Sequence, residues 1–218
     1  MRIACIGYRD WALNIYESLE KKTDNTYLIF RSKSQYNEKT LRDFNPNLIL
    51  FYGWSWIVNE ALLKDFICLM LHPSPLPKYR GGSPIQNQII AGEKKSKVSI
   101  FIMNNQIDAG DLVGQEDLSL EGTLDSIFKQ IEIVGLHLTL KIISNGLNPK
   151  PQNHSEATYF KRLTKENSEI TLEELTGKSA DFLFNKVRML ADPYPNAYIK
   201  TSDGRKLVIL NARIEELP

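Results

Sequence analysis

The chain has 218 residues, 42% of them apolar, with 27 Lys+Arg against 26 Asp+Glu. That length and apolar share can build one compact unit with a small appendage, and they exclude intrinsic disorder. The near balance of charge argues against nucleic acid as a partner, because phosphate-backbone binding calls for a basic excess. No run of 18 apolar residues occurs, so no membrane span is expected. Met1 to Gly7 enters a strand-like run at once, with no signal-peptide pattern, and a cytoplasmic location is expected. Cys5 and Cys68 both sit in apolar runs and read as buried free thiols.

In chain order, Arg2 to Gly7 reads as a buried strand and Asp10 as the cap of a following helix. Ala12, Ile15, Tyr16 and Leu19 fall on one face of that helix. Thr26 to Phe30 is a second strand. A short helix through Leu41 and Phe44 stops at Asn45-Pro46. Leu48 to Tyr52 and Ile67 to Leu71 are continuous apolar strands, with a helical turn at Leu62, Leu63 and Phe66 between them. Ile85 to Ala91 reads as helix and Val98 to Met103 as strand. This alternation predicts an α/β fold: a Rossmann-like, mostly parallel sheet with helices on both faces, over residues 1–147. Thr123 to Ser144 is a long helix ended by Asn145-Gly146. Residues 148–218 form a small C-terminal α+β appendage: a polar loop, a helix from Ser179 to Leu190, a stiff Asp192–Asn196 loop, and a β-hairpin of 197–201 with 206–211.

A dinucleotide reading finds no support. After Gly7 come Tyr8-Arg9-Asp10, with no further glycine for a phosphate. No Walker pattern occurs, and His72, His137 and His154 lie too far apart in the sequence for a metal motif, so no metal is expected. His137 reads as a packing or surface residue of the long helix, and His154 as a solvated loop residue.

The chemistry concentrates in Leu71-His-Pro-Ser-Pro-Leu-Pro-Lys-Tyr-Arg-Gly-Gly-Ser-Pro-Ile-Gln86. His72 ends a buried strand, the edge where open α/β sheets bind ligands. Three prolines in five residues stiffen the chain beyond it, and Gly81-Gly82 admits close approach of another group. A proline-rich turn with a capping histidine is the plainer alternative. A second element, Asn104-Asn-Gln-Ile-Asp-Ala-Gly-Asp111, follows the strand that ends at Met103. If the two strands run parallel, His72 and Asp108 share an edge, and the carboxylate can orient the imidazole. Otherwise Asp108 only stabilises its own turn.

Together these residues resemble the 10-formyltetrahydrofolate-dependent formyltransferases. The His72-Pro-Ser-Pro-Leu-Pro-Lys-Tyr-Arg-Gly motif is followed at a separation of 36 positions by Ile107-Asp-Ala-Gly-Asp. Residues 156–163 and 187–198 are similar to the methionyl-tRNA and sugar N-formyltransferase branch, so the resemblance covers roughly residues 45–200.

The resemblance implies His72 and Asp108 as catalytic residues. It implies a pterin pocket lined by Trp54, Ser55, Trp56, Gly82 and the Asn104, Asn105, Gln106, Ile107, Asp108 loop. The two tryptophans read equally well as core. Met70, Ser74, Arg80 and Tyr194 are expected on the substrate side, Tyr194 either stacking on a base or packing. The family pattern is Asn-x-His, and the asparagine position here is Met70, whose thioether cannot donate a hydrogen bond. Met70 and His72 are two apart and should share a strand face. Asn104, Asn105, Gln86 or a water can take over the donor role.

The implied function is transfer of a formyl group from 10-formyltetrahydrofolate, without a metal, to the primary amine of a nucleotide-linked (dTDP or UDP) amino sugar. The short stretch after the long helix and the balanced charge favour a small amine over tRNA, and a homodimer is expected by resemblance. A folate- or nucleotide-binding homologue without transfer activity remains open because of Met70. So does a formyltransferase or hydrolase acting on another small amine, or a hydrolase releasing formate from the same cofactor.

Overall fold

The computed structural model describes residues 1–192 and 194–216. Among the described residues, ten strands and seven α-helices follow in chain order. They are β1 Arg2–Ile6, α1 Asp10–Lys22, β2 Thr26–Phe30, α2 Glu38–Phe44, β3 Leu48–Tyr52, α3 Glu60–Asp65, β4 Cys68–His72, β5 Arg80–Gly81, α4 Pro84–Ile90, β6 Lys95–Ile102, β7 Leu112–Ser119, α5 Leu124–Asn145, β8 Tyr159–Phe160, α6 Leu172–Gly177, α7 Ala180–Met189, β9 Ala197–Lys200 and β10 Lys206–Ile209.

The main sheet has six strands in the order β2-β1-β3-β4-β6-β7. β1 pairs in parallel with β2 and β3, and β3 with β4. All five residues of β3 are buried, which is why that strand is apolar without alternation. Alternate residues serve two cores. Ile3, Cys5, Leu50, Leu69 and Leu71 face α1 and α5, while Ala4, Ile6, Ile49, Phe51 and Cys68 face Leu41 of α2 and Leu62 of α3. Helices therefore cover both faces. Cys5 and Cys68 are buried free thiols, and loss of solvation pushes the Cys68 thiol up to about 12, so it stays protonated and inert.

Two expectations need correction, and one strand went unread. β6 runs antiparallel to β4, with His72 opposite Ser99 and Leu69 opposite Ile102. β7 was not evident in the sequence. It pairs antiparallel with β6, and its Gly114, Glu116 and Asp117 mask the pattern of a mostly half-buried edge strand. Asp10 is the first residue of α1 rather than its cap: Arg9 occupies that position and no side chain caps it.

The segment after Leu147 packs into the same core as the sheet. Val187, Met189, Leu190 and Ala197 join the cluster built on α1 and α5. Lys150 bridges to Leu112, and β8 pairs in parallel with β5. β9 and β10 form the expected hairpin. The polar stretch before it also contains β8 and α6, which composition did not signal; α6 starts with a Thr171–Glu174 capping box.

β1 lies between β2 and β3, so the chain leaves β1 on one side and returns on the other. That reversal opens a crevice at the carboxyl ends of β1 and β3. Tyr16 ties these ends together. Its buried hydroxyl accepts from the Tyr52 amide at 2.7 Å and lies 3.0 Å from the carbonyls of both Ile6 and Leu50.

Candidate active site

A cavity of about 950 Å³ opens at this edge, and His72 and Asp108 both line it. His72 ends β4 and is buried. Its Nε2 lies 2.8 Å from the Tyr79 carbonyl. A carbonyl only accepts, so Nε2 carries a proton, and Nδ1 is the atom free to gain or lose one. Nδ1 faces Asp108 Oδ2 at 3.7 Å. That separation exceeds a hydrogen bond but keeps the carboxylate against the imidazole.

The two meet although β4 and β6 are antiparallel. The chain leaves β6 near Cys68, where the Met103 amide donates to the Cys68 carbonyl, and doubles back along the sheet. Asp108 then takes a left-handed backbone with φ 51°. Three contacts fix it. The Gly81 amide donates to Oδ2 at 2.7 Å, and Gln152 Nε2 donates to the Asp108 and Gly110 carbonyls at 3.0 and 2.7 Å.

The proline loop after His72 is fastened to the rest of the domain. Ser74 Oγ donates to the Lys78 carbonyl and Ser99 Oγ to the Ser74 carbonyl. Gln88 Nε2 donates to the Pro73 carbonyl and Gln115 Nε2 to the Leu76 carbonyl. The expected close approach at Gly81-Gly82 is made by the chain itself. A Cβ on Gly81 would lie 2.3 Å from the Phe160 carbonyl oxygen, and one on Gly82 would lie 2.4 Å from Arg162 Cα.

Trp54, Ser55, Trp56, Gly82 and residues 104–108 all line the cavity. Trp54 is half-buried against the α2–α3 core and meets Trp56 edge-on at 4.6 Å, so it is both wall and core. Trp56 remains 36% exposed. Met70 lines the cavity with His72, and Tyr194 lines it while stacking on Phe128. Pro193, part of the stiff loop expected there, lies outside the described residues.

Two expected substrate contacts lie elsewhere. Ser74 is fully buried, and its hydroxyl is spent on Lys78. Arg80 is 1% exposed and does not border the cavity. Its guanidinium donates to Tyr159 Oη and Gln152 Oε1, each at 2.7 Å, and to His154 Nδ1 at 3.2 Å. Arg80 thus holds Gln152, which in turn holds the Asp108 loop.

The sequence reading did not single out Arg9, Trp11, Phe128 or Arg162, which also line the cavity. Arg9 follows the carboxyl end of β1 and lies over the rings of Tyr8 and Tyr194, at 4.8 and 5.2 Å. Its place just past a strand end was a usable signal. Arg162 gave none, because only the pairing of β8 with β5 brings it in. Neither arginine makes an ion pair among the described residues, where no metal-binding cluster of His, Cys, Asp or Glu occurs either.

A family model described as formyl transferase matches residues 13–131, more than half the chain. The chain belongs to the formyl transferase family. It is similar to a methionyl-tRNA formyltransferase of Rickettsia massiliae, 36% identical over 165 residues, covering 73% of this chain and 53% of the relative. It therefore spans about half the length of the curated relatives it matches.

Among solved structures, a methionyl-tRNA formyltransferase from Clostridium thermocellum superposes with TM-score 0.85 at 28% identity, over 96% of this chain and 97% of that one. Two further structures share the fold. HypX from Aquifex aeolicus in complex with tetrahydrofolic acid has TM-score 0.80 at 20% identity, over 97% of this chain and 37% of that one. A sugar N-formyltransferase from Shewanella has TM-score 0.76 at 18% identity, over 99% of each chain. Among the described residues, no helix is long and apolar enough to cross a membrane.

Proposed function

We propose that the protein transfers a formyl group from 10-formyltetrahydrofolate to the primary amine of a nucleotide-linked amino sugar. The observation that carries this reading is His72 Nδ1 held 3.7 Å from Asp108 Oδ2 inside a cavity of about 950 Å³. The cavity suits a folate. Trp54 and Trp56 offer aromatic faces, and the 104–108 loop offers backbone groups to a heterocycle edge. Tetrahydrofolic acid bound to HypX, which shares the fold, agrees with this.

The bound donor supplies an electrophilic carbonyl carbon. The chain's residues have to orient the incoming amine, stabilise negative charge on the formyl oxygen and move one proton from the amine to the departing folate nitrogen. His72 is suited to the proton step through Nδ1, because Nε2 is anchored to Tyr79. Asp108 sets its carboxylate against the imidazole for that step.

On the acceptor side, Arg9 and Arg162 are cations suited to a diphosphate, and Tyr194 presents an aromatic ring. Methionyl-tRNA is the second reading, favoured by the names of the curated relatives. The test is incubation with 10-formyltetrahydrofolate and either a panel of dTDP- and UDP-amino sugars or methionyl-tRNA, read by mass spectrometry. A formylated sugar is the expected product. Formylation of methionyl-tRNA alone would replace the acceptor assignment, and formate release without any amine would replace transfer with hydrolysis.

A further inference from the structure

Met70 leaves His72 without the hydrogen-bond donor that an asparagine two residues earlier would give. The same cavity contains a donor with nothing to donate to. Gln86, in the first turn of α4, is only 3% exposed and lines the cavity, and its Nε2 is buried without a hydrogen-bond partner. The two carboxamides after it are engaged: Asn87 Nδ2 donates to the Gly82 carbonyl and Gln88 Nε2 to the Pro73 and Pro84 carbonyls.

A buried amide N–H without an acceptor is costly, and such groups are nearly always satisfied. The other unpartnered buried donor among the described residues, Arg80 Nε, does not border the cavity. The enclosed Nε2 and the unbonded Oε1 exchange places by a half-turn of the amide, so Gln86 stands out as a carboxamide free to present its N–H to a ligand oxygen in the cavity. The loop that leads into its helix touches both residues of the pair: the Tyr79 carbonyl anchors His72 and the Gly81 amide anchors Asp108.

We propose that Gln86 donates its Nε2–H to the oxygen of the transferred formyl group and so supplies the hydrogen bond that Met70 cannot. The proposal rests on the formyl-folate reading above.

The test is calorimetric binding of 10-formyl-5,8-dideazafolate and of 5,8-dideazafolate, a stable pair differing only in the formyl group. The protein should bind the formylated compound about five- to tenfold more tightly, the worth of one hydrogen bond. Gln86→Met keeps side-chain length without a donor. It should bind 5,8-dideazafolate as the parent protein does and lose the preference. Gln86→Glu, which keeps the shape but presents acceptors, should lose it as well, and it provides the second variant if Gln86→Met melts early. An unchanged preference in either folded variant, or equal binding of the two compounds by the parent protein, overturns the role of Gln86. Failure of the parent protein to bind either compound overturns the folate reading itself, and with it the role assigned here.

Discussion

The two segments that deliver His72 and Asp108 are built by opposite strategies. His72 ends a buried central strand, and its proline loop is pinned by Ser74, Gln88, Ser99 and Gln115. Asp108 sits on a loop whose neighbour Ile107 is 68% exposed, on a left-handed backbone held by Gly81 and Gln152. The imidazole is positioned by local sequence and sheet register. The carboxylate is positioned from 44 residues away, through a buried chain from Arg80 to Gln152 to the Asp108 and Gly110 carbonyls. The histidine side should therefore depend on its own loop and the neighbouring strands, and the aspartate side on Gln152 and Arg80, which lie outside the main sheet.

The largest effect should come from removing either member of the proposed pair. His72→Ala and Asp108→Ala should each lower formyl transfer by roughly 10²–10⁴-fold, the usual worth of a positioned acid–base group. Neither should change the circular dichroism of the fold. Near-normal turnover in both variants would remove the role assignment for the pair.

Next is Gln152→Leu, which separates the two strategies. It removes the donor to two carbonyls and takes an acceptor from the Arg80 guanidinium. A loss of about 2–4 kcal/mol in urea unfolding is expected, from several buried groups left unpaired. In the fraction that stays folded, kcat should fall about tenfold or more while folate affinity holds, because a misplaced carboxylate affects the reaction more than binding. Equal falls in both would mean that Gln152 supports the cavity as a whole and not the Asp108 loop in particular.

These strategies also explain what was legible in the sequence. The apolar strands, the helical face of Ala12, Ile15, Tyr16 and Leu19, and the position of His72 at a strand end all follow from local pattern, and the structure has them. Asp108 was reached through an assumed parallel pairing that is antiparallel, and the contact survives only because the loop doubles back. No local signal could show that. Arg80 and Ser74 look like site residues in a linear motif, yet their partners, Gln152, Tyr159 and the Lys78 carbonyl, make them internal braces. Arg162 enters only through β8, a two-residue strand with both residues exposed and too short to carry a period.

Met70→Asn sharpens the comparison on the histidine side. If Gln86 already serves the formyl oxygen, the single change should alter turnover by no more than about threefold. In a Gln86→Met background the same change should restore at least about tenfold, within the worth of a single oxyanion donor. A large gain in the parent background would mean that the donor is missing outright. Turnover assays of the four proteins with one acceptor decide between these outcomes.

The smallest effect, on stability alone, compares the two loops directly through Ser74→Ala and Asn104→Ala. Ser74 Oγ is fully buried and donates to the Lys78 carbonyl at 2.9 Å, so its loss leaves a partly buried carbonyl without that donor. About 1–2 kcal/mol in urea unfolding should follow. Asn104 Oδ1 accepts from the Gln106 amide at 2.9 Å in an exposed turn, where water can replace it, and its loss should cost about 0.5 kcal/mol or less. The order of the two values matters more than their size. If Asn104→Ala proved the costlier, the 104–108 loop would be a stability element of the domain, and the division between a pinned histidine and a remotely held aspartate would not stand.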